Sequence, residues 1–371
     1  MSTHDPPTQT RVSTLELFFD LVFVFTITQL ARLVSVAHGW ADLGSAALIL
    51  TIAFWMYGGF AWLTNNVGTD GLSRRLLMLL GMCAYFVMAL AIPRAVGEDG
   101  LAFGVAFFIV TVVHTLLFSR APGASWGAIM GFAPYNFVGA SFAVASGFID
   151  PHWRWLGWLA AFAMFLMVTL RRGERRIAIN SAHFAERHGL VIIVAIGESV
   201  VALGAGVDQV PVRWPLIRVV ALGFALCAAL WWTYFDGDDE RGEHALGAAD
   251  FQRRARLGIL AYGYGHLGMI AGIVCVAAGL HDAIASLGGR MSEGHSWILA
   301  AGISLYLVSN KLFRVMLSIG SSRWRSAAAL FALAVAPLGW QVSAAAEIGA
   351  LVALLVLMLV LERKPLVRAA R

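Results

Sequence analysis

Long apolar runs alternate with short polar segments along almost the whole chain. A helix that crosses about 30 Å of hydrocarbon needs about 20 residues. Twelve runs approach this length, so the pattern predicts an all-α, polytopic transmembrane helical bundle of about 12 spans. The runs cover residues 15–37, 43–63, 76–95, 101–119, 126–148, 153–170, 189–207, 216–235, 257–280, 297–319, 324–342 and 345–361. The last two runs could instead form one re-entrant hairpin.

A basic segment near the midpoint, residues 171–187, divides one membrane domain into two halves of six spans, residues 1–170 and 188–371. The sequence ELFFDLVFVFTITQLARL from Glu16 can be aligned with ERHGLVIIVAIGESVVAL from Glu186, which indicates a six-plus-six repeat. An even number of spans in each half would make such a repeat parallel. Aromatic-rich apolar helices also match by chance, so duplication is a hypothesis.

Composition and charge define the class and its orientation. Only 13% of the residues are charged and the mean hydropathy is +0.76, whereas soluble domains have roughly 25% charged residues. Of the 27 Lys and Arg residues, 21 fall on the side of the two termini and 6 on the opposite side. The positive-inside rule therefore places both termini in the cytoplasm. No basic-aromatic array for nucleic acid occurs, and we expect the basic loops to contact anionic lipid headgroups.

The seventh span carries a carboxyl group, Glu198, close to its midpoint. A charge at that depth costs about 2.5–3.5 kcal/mol on insertion scales, so such residues usually face a partner, a cavity or a proton pathway. Glu198 is the leading candidate for a titratable site. The alternative is a structural hydrogen bond to a neighbouring helix.

The first span begins with the spacing of a capping box, in which Ser13 is the N-cap and Glu16 occupies N3. That role is sufficient to explain Glu16. Asp20 lies one turn further along the same face and is too deep for capping. We expect Asp20 to pair with a base on another helix, either in a functional site or in a structural pair.

Three blocks resemble the low temperature requirement A (LtrA) family of bacterial membrane proteins. They are STLELFFDLVFVFTITQLARL at 13–33, WLTNNVGTDGLSRRLLMLLGM at 62–82 and ERHGLVIIVAIGESVVALG at 186–204. The resemblance implies a multi-pass protein of the bacterial inner membrane, connected by name with growth at low temperature and so with a stress response. It supplies no set of catalytic residues. The positions that mark the family here are Glu16, Asp20, Glu186, Gly197, Glu198 and Ser199.

Other polar side chains lie at similar depths in other spans. The candidates for a transport or proton site are Glu198, Asp20, His266, Asn136 and Lys311, and the secondary candidates are Glu16, Glu186, Ser199, His114 and Arg314. Carboxylate, imidazole and ammonium groups are the parts of a proton relay. They are equally the parts of buried ion pairs, and the sequence does not show whether they meet.

Two loop motifs resemble metal sites. The acidic run Asp236, Asp238, Asp239 and Glu240 offers oxygen ligands for a divalent cation but lacks a defined ligand spacing, and we favour a solvated turn. The histidines of His183-x-x-Glu186-x-His188 do not share one helix face. We therefore predict no metal site and no cofactor.

Three functions remain open. A secondary transporter or permease for an unknown small molecule or ion, with Glu198 as a titrating carboxyl near the midplane, is favoured by twelve spans and buried ionisable residues. An intramembrane enzyme acting on a lipid or isoprenoid would use Asp20, Glu198 and a histidine as acid and base. A structural or sensory membrane protein would use the same residues only to fix helix pairing. An enzyme is the less favoured interpretation.

Overall fold

The computed structural model describes residues 12–66, 71–121, 125–170, 179–205, 211–321 and 323–369. These residues form helices and no strand, which confirms the all-α class. Among the described residues, eleven helical segments are long and apolar enough to cross a membrane. Most arginines of the predicted basic loop, at positions 171–178, lie outside the described residues.

The helices follow one another with short connections. They are α1 (Thr14–Ser35), α2 (Trp40–Asn66), α3 (Leu72–Ala91), α4 (Gly100–Ser119), α5 (Trp126–Ser146), α6 (Trp155–Leu170), α7 (Ser181–Ala205), α8 (Trp214–Phe235), α9 (Asp238–Ala248), α10 (Phe251–Leu257), α11 (His266–Ala285), α12 (Glu293–Leu317), α13 (Arg323–Val335), α14 (Pro337–Gln341) and α15 (Ala344–Ala369). A π-helix, Gly258–Gly265, joins α10 to α11, and short 3₁₀ turns occur at Ile92–Arg94 and Pro151–Trp153.

The predicted eleventh span, residues 324–342, is not one unbroken helix. The chain forms α13 and the five-residue α14, separated at Ala336. Pro337 explains the break, because proline has no backbone N–H to donate and its ring clashes with the preceding turn. The segment after it, α15, is long and apolar enough to cross by itself.

The start of α1 has the predicted capping box. The Ser13 side chain accepts from the backbone N–H of Glu16, and the Glu16 carboxylate accepts from the backbone N–H of Ser13 at 2.8 Å. Two of the donors that a helix start leaves without partners are thereby satisfied. The cap also fixes the face on which Glu16 and Asp20 lie.

Helix α1 packs against α2, α3, α7 and α11. In the first half α3, α4, α5 and α6 are neighbours in chain order, and α2 packs against α6. In the second half α11, α12, α13 and α15 are neighbours in chain order, and α8 packs against α15. This similar order of neighbours is what a six-plus-six repeat would produce, although the division into halves stays a prediction.

Small residues bring α11 and α12 together. A Cβ atom on Gly272 would lie 2.6 Å from the carbonyl oxygen of Gly302, and one on Gly268 would lie 2.2 Å from Ser309 Oγ. Backbone packing at this distance requires glycine. Gly197, beside Glu198, differs, because no atom lies within 4 Å of its Cβ position.

Large apolar side chains are exposed on the outside of the bundle, including Leu21 (62% exposed) and Leu330 (71%). A surface of this kind is suited to lipid. Trp153, Trp155, Trp214 and Trp297, which we expect at the outer ends of spans, are all exposed. Their positions are compatible with an aromatic belt.

Candidate functional site

Three helices assemble a buried group of polar side chains, here called the first ionic cluster: Glu16 and Asp20 of α1, Tyr57 of α2, and His183 and Arg187 of α7. The guanidinium of Arg187 donates to Asp20 Oδ1 at 2.7 Å and to Glu16 Oε1 at 3.0 Å. The Tyr57 hydroxyl donates to the same Asp20 oxygen at 3.0 Å. His183 Nε2 lies 3.1 Å from Glu16 Oε1. Arg187 is completely buried.

Helical spacing explains how this cluster forms. Glu16 and Asp20 are four residues apart on α1, and His183 and Arg187 are four residues apart on α7. Residues with this spacing share a helix face, so an acidic stripe on one helix meets a basic stripe on the other. The predicted base on another helix for Asp20 is therefore present, and it is Arg187.

The sequence interpretation missed Arg187 and chose its neighbour. Glu186, a secondary candidate, is exposed. The available signal was the matching four-residue spacing of the acidic and basic pairs. Two atoms of the cluster, Asp20 Oδ2 and Arg187 Nε, are buried without a hydrogen-bond partner among the described residues. The cluster thus joins α1 to α7 through charges that are not fully satisfied.

A cleft of about 440 Å³ lies beside this cluster. Helices α2, α4, α5 and α6 line it from the first half, and α7, the π-helix and α11 line it from the second half. Its walls are largely apolar and include several aromatic side chains, among them Phe54, Trp55, Trp62, Phe118 and Phe132. Cavities of roughly 300–1,000 Å³ with such walls are typical of small-molecule sites.

Few polar groups face the cleft, and the described lining includes no Asp, Glu, Lys or Arg. Two predicted candidates line it, Asn136 and His114. The Asn136 side-chain oxygen accepts from Trp55 Nε1 at 3.1 Å, so its amide N–H₂ group can donate to a ligand. His114 is almost fully buried against Phe60, Phe118 and Phe132.

His188 also lines the cleft, and the sequence interpretation did not select it as a transport residue. Its Nδ1 lies 2.8 Å from the carbonyl oxygen of Phe184. A carbonyl only accepts, so Nδ1 carries the proton and Nε2 of the neutral ring can accept a hydrogen bond. The cleft therefore offers an acceptor on His188 and a donor on Asn136, in addition to the hydroxyl groups of Thr51 and Tyr264.

His266 lies behind His188 and does not line the cleft. The two rings are 5.2 Å apart, and Tyr262 stacks on His266 at 5.3 Å. Tyr234 Oη lies 3.0 Å from His266 Nε2, and Nδ1 lies 3.3 Å from the carbonyl oxygen of Ala261. Both ring nitrogens thus have partners, which is the arrangement of a structural core histidine.

The acidic run after α8 is only partly the solvated turn that we favoured, because Asp236 and Glu240 are exposed but Asp238 is not. Asp238 is only 1% exposed and accepts from Arg314 at 2.9 Å and from Arg325 at 2.6 Å. Arg325 also donates to Glu362 of α15. The sequence did not show this because the two arginines lie on α12 and α13, more than seventy residues later. We call Asp238, Arg314, Arg325 and Glu362 the second ionic cluster.

The remaining candidates are members of neither cluster. Glu198 is 6% exposed, and the hydroxyl of Thr28 on α1 faces its carboxyl group. Ser199 is buried. Lys311 donates to Ser326 of α13. Among the described residues, no hydrogen bond or ion pair joins any two of the five main candidates for a transport or proton site. These are Glu198, Asp20, His266, Asn136 and Lys311. The structure therefore does not assemble them into a single proton relay.

Metal ligation finds no support in the part of the chain that the structure describes. No group of three or more His, Cys, Asp or Glu side chains there is placed to hold a metal ion. His183 instead contacts Glu16 and Asn65.

Sequence comparison adds the family to this geometry. The profile of the family described as bacterial low temperature requirement A protein (LtrA) matches residues 11–361. The chain belongs to the LtrA family. A similar protein from Rhizobium meliloti (strain 1021), named Uncharacterized protein RA0937, is 28% identical over 289 residues, which cover 73% of this chain and 69% of that protein.

The LtrA match includes every helix from α1 to the greater part of α15. The first ionic cluster, the cleft, Glu198 and three members of the second ionic cluster therefore lie within the matched region, and Glu362 lies one residue beyond it. Family membership, together with the eleven apolar helices, identifies a multi-pass membrane protein.

Proposed function

We propose that this LtrA protein is a carrier for a small, uncharged and largely apolar molecule, which binds in the cleft between the two halves. The observation that carries the proposal is the cleft itself, about 440 Å³ in volume and lined by helices from both halves. Carriers commonly place their substrate at the interface between repeats. A site built from both halves can change its exposure when the halves move against each other.

The chemistry of the walls defines the class of substrate. Aromatic side chains favour an apolar molecule, and the absence of charged groups from the described lining disfavours an ion. His188 Nε2 and the Asn136 amide can bind one hydroxyl or amide group of the substrate. We therefore expect an apolar body with a polar substituent.

Glycines give the cleft its width. No atom lies within 4 Å of a Cβ position at Gly58, Gly127 or Gly131, all of which line it. Larger side chains at these positions would extend into the space that a ligand needs. This feature also makes the cleft easy to fill by mutation.

The orientation is part of the proposal. With both termini in the cytoplasm of a bacterial inner membrane, as the distribution of Lys and Arg predicts, the cleft lies towards the cytoplasmic side. Trp62 near the end of α2 and Gly127 at the start of α5 both line it there. An apolar molecule dissolves in the bilayer unaided, so a carrier for it is useful only when an energy source drives the movement.

The enzyme alternative has one observation in its favour, the two imidazoles of His114 and His188 in the cleft. The acids that this hypothesis requires, Asp20 and Glu198, do not belong to the described lining. Asp20 is instead bound to Arg187. The carrier is therefore the better-supported function.

Side-specific cysteine labelling tests this proposal without knowledge of the substrate. Gly131→Cys is introduced after Cys83, Cys227 and Cys275 are replaced, and sealed vesicles are treated with a membrane-impermeant maleimide from each side. A carrier predicts labelling from both sides, faster from the side of the termini. Gly44→Cys, at the opposite end of α2 from Trp62 and with no atom within 4 Å of its Cβ position, should react only from the other side. Labelling of Gly131→Cys from one side alone would contradict the proposal.

A further inference from the structure

A second acidic side chain, Glu347 on α15, is buried more completely than Glu198. It lies one turn inside the helix, and none of its surface is exposed. Neither carboxyl oxygen has a hydrogen-bond partner of normal geometry among the described residues. Buried polar groups almost always have partners, so this carboxyl group requires an explanation.

The surroundings of Glu347 form a small polar niche. Ser296 of α12 is also fully buried, and its hydroxyl likewise lacks a partner of normal geometry. A Cβ atom on Gly339 of α14 would lie 1.9 Å from Glu347 Oε2 and 2.1 Å from Ser296 Oγ, so these two oxygens are at most 4.0 Å apart. Only glycine at position 339 leaves room for both oxygens.

No ion pair within the described part of the chain neutralises this carboxyl group. Helix α15 packs against α8, α12, α13 and α14. Four charged side chains near this end or on these helices are exposed: Arg218 of α8, Glu293 of α12, Arg323 of α13 and Arg290 of the loop before α12. The others have partners of their own: His295 contacts Ser35 and Asp282, Lys311 donates to Ser326, Arg314 binds Asp238, and Arg325 binds Asp238 and Glu362. Helix α14 has no charged residue. A buried carboxylate without a partner is very unfavourable.

We propose that Glu347 and Ser296 form a proton-binding site, in which the neutral carboxylic acid shares a hydrogen bond with the serine hydroxyl. A protonated carboxyl group gains one O–H donor, which Ser296 Oγ can accept. Protonation therefore removes the buried charge and satisfies both side chains at once. No other described residue is needed to complete the site.

The broken helix beside the niche provides a route for proton exchange. The break at Ala336 and Pro337 lies within one turn of Gly339. The carbonyl oxygen of Gly339 accepts from Met291 N–H, in the loop before α12, at 3.0 Å. Interrupted helices often form the ion sites of transporters, where local movement opens the site.

The site lies at the end of the bundle opposite the start of α1. Glu347 is the fourth residue of α15, so it lies about 5 Å from the helix start, and a proton has only a short distance to travel from that face. If the protein is a carrier, as proposed above, the binding and release of this proton could drive transport through the cleft. The occupancy of Glu347 by a proton does not depend on that role.

Infrared difference spectroscopy of the full-length protein in lipid tests the site. The wild-type spectrum at neutral pH, minus that of Glu347→Gln, should contain a carboxylic-acid C=O band that shifts in D₂O. Glu362→Gln, on the same helix but with Arg325 as partner, should leave this band in place. An identical band in wild type and Glu347→Gln would overturn the proposal.

Two further arms make the test complete. Ser296→Ala keeps the carboxyl group but removes its partner, so the band should move to higher frequency. This result is available even if Glu347→Gln does not fold, and an unchanged frequency would contradict the shared hydrogen bond. Sodium should have no effect; replacement of the band by a carboxylate signal on addition of NaCl would show that the niche binds Na⁺ and would overturn the assignment to a proton. These outcomes are independent of cysteine labelling in the cleft.

Discussion

Asp20 on α1 and Arg187 on α7 form a fully buried ion pair, with Oδ1 and Nη2 2.7 Å apart, although 167 residues separate them in the chain. The pair joins the first helix of the chain to the seventh. Buried ion pairs of this kind are sensitive to the loss of one partner, because the remaining charge has no water to solvate it.

Removal of either member of this pair should therefore be costly. We expect Asp20→Ala and Arg187→Ala each to lower the free energy of unfolding by about 3–5 kcal/mol. Denaturation in detergent, followed by tryptophan fluorescence, measures the change. Glu186→Ala is the matched control, because Glu186 is the exposed neighbour of Arg187. Equal stability of Arg187→Ala and Glu186→Ala would show that the cluster contributes nothing to the fold.

The second ionic cluster allows a comparison between two nearby aspartates. Asp238→Asn removes the negative charge that faces the buried guanidinium groups of Arg314 and Arg325. We expect this change to lower the free energy of unfolding by about 3 kcal/mol or more. Asp236 forms an exposed pair with Arg363, so Asp236→Asn should cost about 0–1 kcal/mol. Thermal unfolding of the two variants under one condition checks the difference. A larger loss for Asp236→Asn would reverse our assignment of the buried partner.

Glycine packing between α11 and α12 gives a third prediction. Gly272→Ala places a methyl group 2.6 Å from the carbonyl oxygen of Gly302, and overpacking of this kind costs about 1–3 kcal/mol. Gly204→Ala is the control, since no atom lies within 4 Å of its Cβ position. Gly272→Ala should melt at a lower temperature than wild type. Gly204→Ala should melt at the wild-type temperature.

Glu198 can be tested by chemical modification. Apolar carbodiimides attack protonated carboxyl groups, and Glu198 has no basic partner among the described residues. We expect the membrane-embedded protein to be labelled at Glu198 and the label to decrease as pH rises, as mapped by mass spectrometry. Glu16, bound to Arg187, should remain unlabelled and is the internal control. No label on Glu198 at any pH would favour a structural role for it.

Much of the fold could be predicted from apolar run length, and some of the site from helical spacing. The capping box at Ser13 and the requirement of Asp20 for a base are local, and the structure contains both. Arg187 as that base was not predictable with certainty, because several arginines were available in sequence. Contacts between distant helices decide such pairings.

The errors have similar causes. Asp238 looks like a turn residue until α12 and α13 bring their arginines to it. The sequence does not mark Glu347 as a buried carboxyl group, because the residue lies near the end of an apolar run, where carboxyl groups are common. Its burial depends on contacts with α12 and α14. Asn136 and His114 meet in the cleft, whereas Lys311 and His266 have partners elsewhere.

Photolabelling with benzophenone, an uncharged apolar molecule that inserts into nearby C–H bonds, tests the central claim most directly. Membranes containing wild type, Gly58→Leu or Gly44→Leu are irradiated, and adducts are mapped by mass spectrometry. Gly58 lines the cleft and Gly44 does not, and no atom lies within 4 Å of either Cβ position. Our account predicts adducts at cleft residues such as Met130 and Leu267, lost in Gly58→Leu and retained in Gly44→Leu. Adducts spread over the lipid-facing surface and equal in all three proteins would contradict it.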